Sequence, residues 1–177
     1  MIFSEAMNTV RPGGESCQAD VGDDWLQGRT AFGGLQTALA IRALRLQVPG
    51  ELPLRVAQTT FMAPVPAGPA RLDARVLRTG KSAVHGECRI SDGAQTLCVV
   101  VAIFGRGRTS ALRLAPTPAD IPMTTDPKRE MPYVQGISPT FTQHFVMRWS
   151  RGDRLFIGST QTSTSIHVRH REPQALD

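Results

Sequence analysis

The sequence has no window approaching the roughly 18 uninterrupted apolar residues of a membrane span, so a transmembrane helix is not expected. Its first ten residues, MIFSEAMNTV, lack both a basic start and an apolar stretch, so no secretory signal is expected there either. Cysteine is scarce: Cys17, Cys88 and Cys98 are odd in number, and no CxxC or Cys/His spacing links them. That argues against a disulfide framework or a metal site and for reduced thiols in the cytoplasm. Aromatic residues make up only 6%, with no aromatic-basic surface of the RNA-recognition kind. The net charge of +5 and pI near 9.9 admit an anionic small molecule, yet the basic residues are scattered, and nucleic acid is not an expected partner.

A chain of 177 residues can bury a core, and its patterning changes along its length. The run Ile2 to Val10 ends at the turn Arg11-Pro12-Gly13-Gly14, and both it and Glu15 to Val21 read as short strands. A polar stretch through Asp23-Asp24 and Gly28-Arg29-Thr30 leads into Gly33 to Gln47. There Leu35, Leu39, Arg42 and Leu46 keep helical spacing, with Ala38, Ile41 and Ala43 between them. This helix is apolar around much of its circumference and contains no Asp or Glu; Pro49-Gly50 closes it.

From Leu54 to Gly105 the period becomes two. Ala70, Leu72, Ala74 and Val76 alternate with Arg71, Asp73 and Arg75; Val84, Cys88 and Ile90 alternate with His85, Glu87 and Arg89. An antiparallel sheet with one dry and one wet face reads this way. Thr96 to Phe104 is apolar on both parities, which places it centrally with both faces buried. The fold class is α+β, one long helix wrapped by an antiparallel sheet, over residues 1–108. A Pro-rich linker at 109–138 carries Pro116, Pro118, Pro122, Pro127 and Pro132. Two more strand-like runs follow at 139–177, one with Phe141, Phe145, Met147 and Trp149 on one parity, the other from Leu155 to Val168.

Three stretches carry a resemblance: RTAFGGLQTALAIRAL, LRVAQTTFMAPVPAG and VLRTGKSAVHGECRI. Phe32-Gly33-Gly34 opens the helix, Phe61 to Gly68 is the strand and turn after it, and Arg78-x-Gly80-x-Ser82 marks the next turn. Together these resemble the N-terminal half of the acyl-CoA thioesterase II-like double-hotdog family. Residues 139–177 resemble the first strands of that family's second hotdog, without its helix. The resemblance implies a hotdog fold and hydrolysis or binding of fatty or aromatic acyl-CoA thioesters, with coenzyme A as part of the substrate and no separate cofactor or metal. In the family the catalytic Asp, Thr and Gln lie in the second half, so they have no counterpart here.

The N–H of Gly34 is then the candidate oxyanion donor, since free N–H groups at a helix start favour developing negative charge. Gly33 would let a thioester approach the backbone; the same glycine pair also serves tight helix–sheet packing. Gln58 and Thr60 are candidates for the acyl tunnel or for contacts across the sheet. Arg78, Lys81 and Ser82 are candidates for the phosphates of coenzyme A or form a solvated hairpin. Asp23 and Asp24 precede the helix as either a base or a solvated turn, and no Asp–His pair of the hotdog hydratase kind enters it. A lone hotdog leaves sheet edges open, so a homodimer is expected, edge to edge or through the strands from Phe141 to Val168. The rival expectations are a non-catalytic acyl-CoA-binding or assembly module and a truncated, inactive family member.

Overall fold

The computed structural model describes residues 1–112, 114, 115, 121, 124, 126–153 and 158–173. Three of the linker prolines (Pro116, Pro118 and Pro122) and the expected strand start at Leu155 lie outside the described residues. The chain divides into two compact units, one of Met1–Arg108 with Pro139–Phe141, the other of Thr109–Ser138 with Thr142–Asp177.

In the first unit, α1 (Phe3–Asn8) leads to β1 (Arg11–Gly13) and β2 (Ser16–Val21); a 3₁₀ turn at Asp23–Trp25 and the small hairpin β3 (Leu26–Gln27) and β4 (Thr30–Ala31) follow. Then come α2 (Gly33–Arg45), β5 (Leu54–Phe61), β6 (Gly68–Thr79), β7 (Ala83–Ser91) and β8 (Thr96–Gly105). Six strands form one antiparallel sheet in the order β1-β2-β6-β7-β8-β5, and α2 packs on one face of it. This is the α+β class that the alternation and the single long helix imply, in the hotdog arrangement that the resemblance implies.

The expected strand at Ile2–Val10 is instead mostly helix. Phe3, Ala6, Met7 and Val10 sit at helical spacing, and the Glu5 carboxylate accepts a 2.9 Å hydrogen bond from the Ile2 N–H, satisfying a donor that a helix start leaves free. The long helix ends at Arg45, two residues short of Gln47, where the Leu46 and Gln47 N–H groups bond the carbonyls of Ala43 and Leu44. The inner face of the sheet is built from alternate residues: Ala70 and Leu72 of β6, Val84, Cys88 and Ile90 of β7, and Cys98, Val100, Ala102 and Phe104 of β8 are all buried. Leu35, Leu39, Ala40, Ala43 and Leu44 of α2 close on them. The helix approaches closely at Gly86, where a Cβ would fall 2.8 Å from the Leu44 Cδ2.

One sheet detail departs from expectation, and a second lies beyond the stretch of expected alternation. The strand β8 has neighbours on both edges, but its outer row of Val99, Val101 and Ile103 is only half-buried, because within this unit the helix covers one face alone. In β6 the pairing slips between Val76 and Arg78, so the alternation of Ala70 to Val76 changes parity beyond it, and Thr79 pairs with the buried Val84.

The second unit contains the antiparallel hairpin of β9 (Phe145–Arg151) and β10 (Ser165–His170). The Arg148 guanidinium donates to the Glu130 carboxylate at 3.1 and 3.2 Å, tying the linker side to the hairpin. The His170 ring lies 4.6 Å from that of Phe145, and burial lowers its pKa.

Candidate functional site

The start of α2 is assembled from three loops. Phe32 is the N-cap residue; its N–H donates to the Trp25 carbonyl at 2.8 Å, and the Ala31 N–H donates to the Val65 carbonyl at 2.7 Å. Phe32 stacks face to face on Phe141, with ring centroids 4.1 Å apart. Thr140 supports this corner by donating to the Leu26 carbonyl at 2.8 Å. The residues just after β5 are fixed by the Leu97 carbonyl, which accepts from the N–H groups of Met62 and Ala63.

Between these pieces lies a cavity of about 350 Å³, within the usual range for small-molecule sites and open to solvent. Gln27, Thr30, Ala31, Gly33 and Gln36 line one side; Phe61, Met62, Ala63 and Pro64 line the other. None of these residues is ionisable. The N–H groups of the first helical turn have no acceptor four residues back, and the helix dipole adds partial positive charge there. An electron-rich carbonyl oxygen at this end of the cavity is therefore stabilised, and a charge-relay base is not supplied by the lining.

Gln36 is the residue that sequence reasoning missed. It is 3% exposed, on the same stripe of α2 as Leu39, Ala40 and Ala43. Its Nε2 donates to the Ala31 carbonyl at 2.6 Å and, more weakly, to the Thr30 hydroxyl at 3.4 Å. A carbonyl only accepts, so the amide orientation is forced. The Oε1 is left buried without a hydrogen-bond partner among the described residues, an arrangement worth about 1–3 kcal/mol of lost solvation. Thr30 is the second omission; its hydroxyl accepts from the Val65 N–H at 3.1 Å. The available signal for Gln36 was a lone amide on an otherwise apolar helical stripe.

The expected site residues do not converge on one place. Gly33 lines the cavity, and Gly34 beside it lies outside the lining, with its Cα turned towards the Phe32 ring. Gln58 and Thr60 pair with Val101 and Val99 on the outer face of the sheet, away from α2. Their neighbour Thr59 faces the helix instead, its hydroxyl 2.9 Å from that of Thr37. Arg78, Lys81 and Ser82 lie at the β6–β7 turn, beside Gly105 at the far end of β8, whereas Phe61 pairs with Cys98 near its beginning. Ser82 there accepts a 2.6 Å bond from Arg108. Asp24 bridges the Met1 ammonium at 2.5 Å, and neither it nor Asp23 lines the cavity. No cluster of three or more His, Cys, Asp or Glu side chains is present among the described residues, and no described helix is long and apolar enough to cross a membrane.

Residues 21–107 match the family described as the acyl-CoA thioesterase N-terminal domain. No curated protein sequence matches the chain. A hot dog fold protein of unknown function from Alicyclobacillus acidocaldarius superposes with a TM-score of 0.76 at 23% identity, over 96% of this chain and 62% of that one. A protein provisionally described as a thioesterase II, from Thermobifida fusca, gives 0.65 at 17% identity, over 84% of this chain and 54% of that one. The PaaI protein of the Escherichia coli phenylacetic acid degradation operon gives 0.51 at 18% identity, over 59% of this chain and 87% of that one. The chain thus spans between half and two thirds of the length of the first two structures, and the shared feature is the hotdog fold.

Proposed function

From the premise that segment 21–107 belongs to the acyl-CoA thioesterase N-terminal domain family, we propose that the chain binds fatty or aromatic acyl-CoA thioesters at the α2 cavity. The observation that carries this reading is a cavity of ligand size placed against the first turn of α2, with Gly33 in its wall. The thioester carbonyl oxygen would lie against the N–H groups of Gly33 and Gly34, which stabilise the oxyanion when water attacks the carbonyl carbon and the thiolate leaves. The apolar wall of Phe61, Met62 and Pro64 suits the acyl chain.

The absence of an ionisable residue from the lining favours a second reading of the same site, in which the chain binds and orients the thioester without rapid turnover. General-base catalysis commonly contributes 10²–10⁴-fold, and no lining side chain offers it. The two readings part on one measurement. Titration with a non-hydrolysable ketone analogue of an acyl-CoA tests binding, and thiol release from a panel of acyl-CoAs tests turnover. Binding with release supports a thioesterase; binding without release supports the binding module; no binding of any analogue refutes both.

Among the described residues β5 pairs with β8 alone, and its other edge supports a homodimer in which two copies of that strand pair. The three cysteines are free and buried, in keeping with a reducing compartment such as the cytoplasm.

A further inference from the structure

Among the described residues the Gln36 oxygen has no hydrogen-bond donor, and Gln36 lines the cavity at the start of α2. Buried polar atoms are almost always satisfied, and exceptions mark places where a ligand or water completes the set. The Nε2 of this amide is committed to the Ala31 carbonyl, so rotation cannot exchange the two ends. The Thr30 hydroxyl accepts from the Gln36 amide and the Val65 N–H, and donates to the Ala31 carbonyl at 3.5 Å. Among the described residues the site is thus short of one donor.

We propose that Gln36 Oε1 accepts the cysteamine N–H of the coenzyme A arm and so selects thioesters of pantetheine over other thioesters. This rests on the acyl-CoA reading of the cavity. The acyl chain has no donor, and the thioester group has none; moving from sulfur along the thiol arm, the first donor is the amide N–H, three bonds away. The helix supplies the matching spacing. Gly33 and Gln36 are three residues apart on one face of α2, where side-chain origins are about 5–6 Å from each other. A carbonyl oxygen held at the first turn therefore brings the amide nitrogen to the level of Gln36. The contact involves no bond making or breaking, so Gln36 is a specificity-determining residue rather than a base.

The test compares two ligands by calorimetry: a ketone analogue of an acyl-CoA, and the same molecule with the cysteamine N–H replaced by an ester oxygen. The wild-type protein should bind the ester form about tenfold more weakly, the usual effect of one hydrogen bond. In Gln36→Met, which keeps the length and removes the acceptor, the amide form should weaken by a similar factor and the ester form should show no further loss. Equal binding of both forms by the wild type would overturn the proposal and assign the Oε1 to a water. Retained discrimination in Gln36→Met would overturn it as well. If the wild type binds neither analogue, the acyl-CoA reading itself fails, a result separate from the other two. The wild-type comparison stands without the variant, so a folding defect in Gln36→Met does not remove the test.

Discussion

The ring of Phe61 occupies the space that a side chain at Gly33 would need: a Cβ there would lie 2.7 Å from the Phe61 Cζ. Phe61 is 56% exposed, so its ring has solvent to move into, whereas the glycine is fixed in the first turn of α2. The wall of the cavity is set by this contact between residues 28 positions apart in sequence.

Gly33→Ala should therefore displace Phe61 and reshape the cavity without unfolding the protein. Alanine gains up to about 1 kcal/mol of helix propensity over glycine, which offsets part of the crowding. Binding of the ketone analogue should weaken by about tenfold, with the melting temperature changed by less than about 4 °C, the shift that 1 kcal/mol gives in a domain of this size. A melting temperature that collapses would show that the glycine is needed for packing rather than for the cavity.

Gly34→Ala should behave in the opposite way. Its Cβ would lie 2.4 Å from the Phe32 Cε1, and that ring is held in the stack on Phe141. Overpacking of this kind costs about 1–3 kcal/mol. Urea unfolding should show that loss, and Phe141→Ala should relieve much of it by freeing Phe32 to move. If the costs of the two substitutions simply add, the stack is not what resists the new methyl group. A loss of turnover in a larger Gly34 variant would report this disruption together with any oxyanion effect.

These contrasts show where the sequence was readable. Alternation in Ala70, Leu72 and Ala74 fixed the dry face of β6 because burial there depends only on parity. It ends at Val76 because a slip in pairing is a property of two strands, and one strand does not show it. The spacing of Phe3, Ala6, Met7 and Val10 held the signal for α1, masked by the turn that follows. For the site, Gly33 was legible from its place before an apolar helix. Among Gln58, Thr59 and Thr60, only Thr59 turns inward, a choice that the parity of Phe61 would have settled. The relation of Gln36 to Ala31 depends on the loop ahead of the helix, and no periodicity encodes it.

Thr37 and Thr59 join α2 to β5 by paired hydroxyls 2.9 Å apart, and Thr37 also donates to the Gly33 carbonyl at 3.0 Å. Since Thr37 spends its hydrogen on that carbonyl, Thr59 is the donor between the two. Thr59→Val should cost about 1 kcal/mol. Thr37→Val should cost more, because it removes both bonds. A double-mutant cycle in urea should give a coupling near 1 kcal/mol; zero coupling would mean that the hydroxyl pair adds nothing to the helix–strand contact.

The cysteine thiols should impose an alkaline limit on stability. Burial pushes Cys88 up to about 12 and Cys98 up to about 11 from an ordinary value of 9.0. Well below pH 9 both are protonated whether folded or unfolded, and their contribution to stability is fully present. Above it the unfolded chain releases protons that the folded chain retains, so stability falls as pH rises towards the folded values. Urea midpoints should decline between pH 9 and pH 11, and Cys88→Ala should reduce the slope despite lowering stability overall. An unchanged slope in that variant would locate the alkaline loss elsewhere. At pH 8 a water-soluble disulfide reagent should leave both thiols unmodified until urea is added.

The strand β5 poses the assembly question. It pairs only with β8 among the described residues, so its other edge presents free backbone N–H and C=O groups. Val56 on its outer face is 47% exposed, Leu54 across the register shift from it is 39% exposed, and Phe61 and Met62 at its end are 56% and 57% exposed. A long edge strand with apolar side chains and few charges is a template for another strand, which folded proteins usually blunt or cover. A two-fold axis through β5 would let each copy satisfy the other with the same patch. Sedimentation velocity of the wild-type chain should show a dimer. Val56→Lys places a charge near the start of the pairing strand and should shift the population to monomer while leaving the circular dichroism spectrum unchanged. A wild-type chain that sediments as a monomer at the highest attainable concentration would refute pairing through β5. A dimer that survives Val56→Lys would move the interface to another surface, with the β9–β10 hairpin the next to test.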